Sequence, residues 1–190
     1  MSEAPALTLA EIERRVLSYL KGKPVATREE WRALGPQGMR LLYTIAVTGG
    51  GSDARKRLRA AALATLGQLG GPAGMKPLVD ALTEPEVSTV VRCGAIEGLG
   101  HVGHSRAIPV LQSQAYHAEF KVRLYALSSL ARIGSAGARR IIEDMQLKDP
   151  HSQVRRAATV ELKKLADTAA EKAARKAAQK AAGARKPKKD

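Results

Sequence analysis

Four histidines, one cysteine and six aromatic side chains are the residues of this chain best suited to chemistry. His101 and His104 are close enough in sequence to share a metal ion, but a centre of repeated His-Glu pairs would need a carboxylate after each. Val102 and Ser105 stand there instead. Two imidazoles without carboxylates, in a glycine-punctuated turn, make a weak metal site, and a solvated turn is the expectation. His117 and His151 fall in connecting segments. Cys93 lies between Arg92 and Gly94 in an apolar run, which suits a small core residue better than a nucleophile. A pocket for an excised base would gather aromatic side chains around a carboxylate, yet Trp31, Tyr43 and Tyr116 are widely scattered. The run GGGS at 49–52 is followed by Asp53, so it reads as a linker and not as a phosphate-binding loop. The expectation is a protein that is not an enzyme, with no catalytic residue, metal, cofactor or small-molecule substrate.

The elements that would carry these residues are helical. Aromatic residues make up 3% of the 190-residue chain, so the core must be filled by Leu, Ile, Val and Ala. Closely packed Ala-rich helices fit this better than a sheet, which favours β-branched and aromatic side chains. One cysteine cannot form an intramolecular disulfide, and the N-terminal MSEAPALTLAEIERR lacks a basic segment followed by an apolar run. A reducing, cytoplasmic compartment is expected. No stretch approaches the roughly 20 apolar residues needed to span a bilayer, so no membrane is expected among the partners. The formal net charge of +14 favours acidic or polyanionic partners.

Internal repetition sets the organisation. Four segments align without gaps: LRAAALATLGQLG from Leu58, VRCGAIEGLGHVG from Val91, VRLYALSSLARIG from Val122 and VRRAATVELKKLA from Val154. Each opens with an apolar residue and an arginine, so Arg59, Arg92, Arg123 and Arg155 recur at spacings of 33, 31 and 32. Four places after each start comes Ala62, Ala95, Ala126 or Ala158; eight after it, Leu66, Leu99, Leu130 or Leu162; eleven after it, Leu69, Val102, Ile133 or Leu165. These offsets mark one face of a helix, on which the small alanine allows close approach. Gly70, Gly103 and Gly134 end the first three segments, where a left-handed turn costs glycine little. A shorter apolar helix follows, with Leu78, Leu111 or Ile142 at its core position. Each unit is a helical hairpin that cannot bury its apolar face without the next.

The array extends upstream. GPQGMRLL from Gly35 matches GPAGMKPL from Gly71, which makes 27–47 an earlier, more divergent hairpin. Thr27 with Glu30, and Thr8 with Glu11, have capping-box spacing and mark helix starts. The helix after Thr8 places Ile12, Val16, Leu17 and Leu20 on one side to cover the open end of the stack.

These segments resemble the HEAT-like repeats first noted in phycobilisome lyases, of the short bacterial type, whose pattern runs Asp-Pro, Val-Arg, Ala, Leu-Gly, Gly. The likeness covers roughly 27–166 and is clearest at DPHSQVRRAA from Asp149 and VRCGAIEGLGHVG from Val91. It implies an all-α, right-handed α-solenoid of about four and a half stacked HEAT-like hairpins. It also implies that the Val-Arg arginine is structural, bonding an acidic loop residue or nearby backbone: Arg155 near Asp149, Arg92 near Glu84, Arg123 with the more loosely placed Glu119. The second helices would line a concave docking face, offering Lys76, Asp80, Arg106, Gln112, Arg139, Arg140, Glu143 and Asp144 to a partner. Their mixed signs favour a protein partner over a bare phosphate backbone.

From residue 168 the chain is rich in Ala and Lys, and its eight cations against two acids give +6, leaving +8 for residues 1–167. Lys172, Lys176 and Lys180 share a helical stripe that can continue the last repeat helix, with Gly183 and Pro187 ending it in a disordered tip. The cations Lys172, Arg175, Lys176, Lys180, Arg185, Lys186, Lys188 and Lys189 suit a polyanion, so nucleic acid is the second partner class the sequence suggests. The expected organisation is therefore an N-terminal capping helix in 1–26, a repeat domain in 27–167 and a basic Ala/Lys-rich C-terminal tail in 168–190.

Overall fold

A computed structural model describes residues 7–22 and 26–184, with the backbone alone at 73 and 180–184. Ten α-helices follow in order: α1 (Leu9–Leu20), α2 (Arg28–Ala33), α3 (Gly35–Val47), α4 (Asp53–Gly70), α5 (Met75–Thr83), α6 (Thr89–Val102), α7 (Ile108–Ala115), α8 (Phe120–Ile133), α9 (Ala136–Lys148) and α10 (Ser152–Ala184). No strand occurs among the described residues. Helix α4 packs on α6, α6 on α8 and α8 on α10, while α3, α5, α7 and α9 form a second layer behind them. This is an all-α solenoid of stacked hairpins.

Both expected capping boxes form. The Thr8 and Thr27 hydroxyls accept from the amides of Glu11 and Glu30, whose carboxylates reach back to the Thr amides at 2.9 and 2.7 Å. These bonds hold both glutamate carboxyls below their ordinary range, the backbone bond contributing most. Helix α1 lies against α3 and α4 through Ile12, Val16 and Leu20, with Leu17 only half-buried. Trp31 is buried edge-on to Tyr19, at 5.2 Å between ring centroids. The GGGS segment is a loop whose Ser52 caps α4.

The repeated core positions are buried as their spacing implies. Ala62, Ala95, Ala126 and Ala158 have no exposed surface, nor do Leu78, Leu111 and Ile142 in the second helices. A further column goes unmarked by the offsets read above: Leu63, Ile96 and Leu127, five places after each start, are equally enclosed. Gly103 and Gly134 adopt left-handed conformations, at φ 67° and 62°, and close α6 and α8 as expected. In the first unit the turn falls one residue later. Gly70 stays helical and Gly71, at φ 50°, makes the bend, because Gly71–Gly74 winds into a 3-10 turn before α5.

Glycine, more than alanine, sets the closest approach. A Cβ on Gly67 would overlap the Gly98 backbone, and one on Gly98 would fall 2.7 Å from the Leu63 carbonyl and 2.8 Å from a Leu78 methyl. On Gly94 it would sit 2.6 Å from Ala60 Cα, and on Gly100 2.8 Å from Ser129 Cα. Ser129 ties α8 to α6 by donating to the Ile96 carbonyl at 2.9 Å. Gly98→Ala is expected to destabilise the chain by about 1 to 3 kcal/mol through overpacking, despite the roughly 1 kcal/mol that alanine gains in a helix interior. A urea midpoint at or above that of the parent would contradict this packing.

Candidate partner-binding surface

The arginine column is built into the stack. Arg59, 4% exposed, donates Nε to the Ala46 carbonyl at 3.0 Å and grips the Glu84 carboxylate with both terminal nitrogens, Nη1 at 2.8 Å and Nη2 at the other oxygen. Arg123, 6% exposed, donates Nε and Nη2 to Asp149 at 2.7 and 2.9 Å and Nη1 to the His117 and Ala118 carbonyls, each at 2.8 Å. Arg92 donates to Gln114 at 3.1 Å, and Arg155 to the Asp149 and Pro150 carbonyls at 2.7 and 3.2 Å. Arg155 thus meets Asp149 as expected, through its backbone, while the carboxylate partners shift. Glu84 belongs to Arg59 and not Arg92, the Asp149 carboxylate to Arg123 and not to Arg155, and Glu119 accepts from the Thr89 hydroxyl. The reason is the antiparallel hairpin: the end of a unit's second helix returns beside the start of its first.

The side chains that invited chemistry are likewise committed to structure. Burial, followed by the charge of Glu119, pushes the Cys93 thiol up to about 11. Alkylation of the native thiol at pH 8 is accordingly expected to run about a hundred-fold slower than in denaturant, because only the thiolate reacts. A thiol that reacts equally fast in both states would contradict this burial. His104, His117 and His151 each accept a backbone N–H at Nδ1, from Arg106, Glu119 and Gln153, and so close the turns they occupy. His151 also stacks on Phe120 at 4.1 Å. His101 lies with Nε2 at 3.1 Å from Gln68 and 3.6 Å from Glu97; burial, then the charge of Arg132, holds its pKa down. Among the described residues, no group of three or more His, Cys, Asp and Glu side chains could hold a metal ion. Trp31, Tyr43 and Tyr116 stay apart: the first is buried, and the others are exposed on different units.

The eight second-helix residues lie on one layer but differ in what they can offer. Lys76 and Asp80 are engaged with each other at 2.6 Å, and Asp144 takes both Lys148, at 2.5 Å, and the Tyr116 hydroxyl, at 2.8 Å. Arg106 sits on a 3-10 turn, Ser105–Ala107, and not on the helix, while Arg139 is half-buried. Gln112, Arg140 and Glu143 are exposed. Between α7 and α9 a cleft of about 280 Å³, floored by Ala115 and Met145 and walled by the Arg123–Asp149 pair, has no signature in the sequence.

Helix α10 runs 33 residues, about 50 Å. Val154 and Ala158 pack fully and Leu162 and Leu165 partly, whereas every side chain from Ala166 to Gln179 is exposed. Lys172, Arg175 and Lys176 ride on this extension, and the helix continues through Gly183 instead of ending there. The Lys180 side chain and residues Arg185, Lys186, Lys188 and Lys189 lie outside the described residues. No helix among the described residues is long and apolar enough to cross a membrane.

Comparison with protein families matches residues 86–163 to HEAT repeats and residues 58–84 to the PBS lyase HEAT-like repeat. Comparison with curated proteins returns no match. The two matches abut at the Glu84 that Arg59 holds and together take in the whole arginine column. The chain is a HEAT-like repeat protein of the phycobilisome-lyase-like type.

Proposed function

We propose that this chain is a non-enzymatic scaffold that binds another protein through the ordered faces of its stack. HEAT repeats as a class are protein-interaction scaffolds and typically non-catalytic, which supports the reading at the level of the family. The observation that carries it in this chain is the division of labour among polar side chains. The buried arginines, the turn histidines and Cys93 hold the fold, while the side chains left free are spread over exposed helix faces several units long. Affinity capture from the native lysate tests this with the intact chain, an Arg139→Glu/Arg140→Glu variant on the second-helix layer and a Tyr125→Glu/Arg132→Glu variant on the first. A macromolecular partner lost with one variant is the expected result. Turnover of a small molecule, with no macromolecule recovered, would overturn the proposal.

The projecting part of α10 favours a second reading, sequence-independent binding of nucleic acid. Its exposed face carries Lys172, Arg175 and Lys176 against the acids Asp167 and Glu171, and it lacks large apolar groups. With all eight tail cations engaged, the log-log salt slope on duplex DNA would be about −7. Deleting 168–190 should then weaken binding to unrelated duplexes alike and flatten that slope. Equal affinity of the two forms, or no binding at low salt, removes this reading.

A further inference from the structure

Resting on the scaffold reading, we propose that the partner docks on the outer face of the first-helix layer, α4, α6, α8 and the start of α10, and that it presents an acidic amphipathic segment. The first argument is curvature. Glycines bring α4, α6 and α8 to backbone contact, whereas α5 and α7 scarcely touch. A stack of two-layered units bends toward its closer-spaced layer, so the first helices form the concave side. The second-helix residues that the family resemblance assigned to a concave face then lie on the convex one.

The second argument is what this face exposes. It exposes apolar side chains on three successive helices: Tyr125, 43% exposed, and Val160, 51%, along α8 and α10, and Val90, 43%, at the start of α6 in the row of Arg57 and Lys121. Tyr125 lies near Cys93 and Glu97, and Ser128 and Arg132 share a hollow with Glu161 and Lys164, so the stripes of α6, α8 and α10 are contiguous. Along one border Gln68, His101, Arg132 and Lys164 recur at the repeat spacing. Arg57 and Lys121 stand at the opposite ends of their helices.

Charge decides the chemistry of the occupant. Arg57, Lys121 and Arg132 have no ion-pair partner among the described residues; of the acids nearby Glu161 is held by Lys164 at 2.8 Å and Glu97 lies 3.6 Å from His101, so the cations outnumber the acids. The second-helix layer is mixed: Lys76 and Lys148 are matched by Asp80 and Asp144, while Arg106, Arg139 and Arg140 have no ion-pair partner among the described residues. The concave face therefore calls for external negative charge. A phosphate backbone would supply that charge but leave Val90, Tyr125 and Val160 uncovered. A segment with acids flanking an apolar stripe meets both requirements.

Binding of a synthetic amphipathic helical peptide of Leu, Glu and Ala to the full chain tests the proposal, with a scrambled peptide of the same composition and a short duplex DNA as comparators. The patterned peptide is expected to bind about ten-fold or more tightly than the scramble. Tyr125→Ala, which keeps every charge, and Arg132→Glu should each weaken it about ten-fold. Arg139→Glu/Arg140→Glu and Lys172→Glu/Lys176→Glu should leave it within about two-fold. Circular dichroism establishes that each variant is folded. Binding of the scramble or the duplex as tight as that of the patterned peptide, an equal loss in the Arg139/Arg140 variant, or no binding of the peptide overturns the proposal. A captured protein partner that survives Tyr125→Glu/Arg132→Glu but is lost with the Arg139/Arg140 variant overturns the docking face and leaves the scaffold reading standing.

Discussion

Arg123→Ala is expected to destabilise the chain by about 3 to 5 kcal/mol, the cost of leaving a buried carboxylate without its cation. The Asp149 side chain is 2% exposed, and Arg123 satisfies both of its oxygens while tying down the His117 and Ala118 carbonyls. Arg92→Ala, by comparison, removes a single bond to Gln114 from a half-buried site and should cost about 1 kcal/mol. Burial raises the Asp149 pKa, but the Arg123 bonds and the His151 amide outweigh it and hold the carboxyl below its usual value. A carboxyl depressed by folding contributes stability that is present above its unfolded pKa, about 3.9, and is lost as pH falls through the folded value. The gap between parent and variant urea midpoints should therefore be full at neutral pH and narrow below about pH 4. A gap independent of pH, or Arg92→Ala costing as much as Arg123→Ala, would contradict this assignment.

Leu130→Ala is expected to cost about 2 to 5 kcal/mol, as is Leu99→Ala, because each is fully enclosed between neighbouring units and its loss leaves a cavity. Leu162 occupies the same repeat position but lies half-buried in the last unit, so Leu162→Ala should cost clearly less. The graded series separates a stack with a continuous interior from independent hairpins. Denaturant unfolding at constant m would show it, and equal losses at all three sites would contradict the stack.

The periodic residues were legible because burial in a solenoid repeats with the chain. Ala62, Ala95, Ala126 and Ala158 recur in type as well as in place, and so do Leu66, Leu99 and Leu130. The Leu63, Ile96, Leu127 column was passed over because its last member is Thr159, which is exposed at the end of the array where no further unit covers it. Among the glycines at the helix crossings, Gly67 and Gly100 share the place after the repeated leucine, where Ala131 and Lys163 stand in the later units, whereas Gly94 and Gly98 recur in no other unit; pairing of helix surfaces, not repetition, reveals those two. The loop just before each arginine, to which the resemblance points, does supply backbone carbonyls to Arg123 and Arg155, but the side-chain partners Glu84, Gln114 and Asp149 lie 22 to 26 residues beyond the arginines they serve. Which layer meets a partner was not legible, since it depends on the spacing between helices and on which charges are already paired.

Hydrogen exchange of the chain with and without its captured protein partner tests the central claim most directly. Slowed exchange across neighbouring helices of one layer, spanning at least two units, is the predicted footprint. Protection confined to the α10 extension beyond Leu165, with the repeat helices unchanged, would contradict a scaffold that works through its stack.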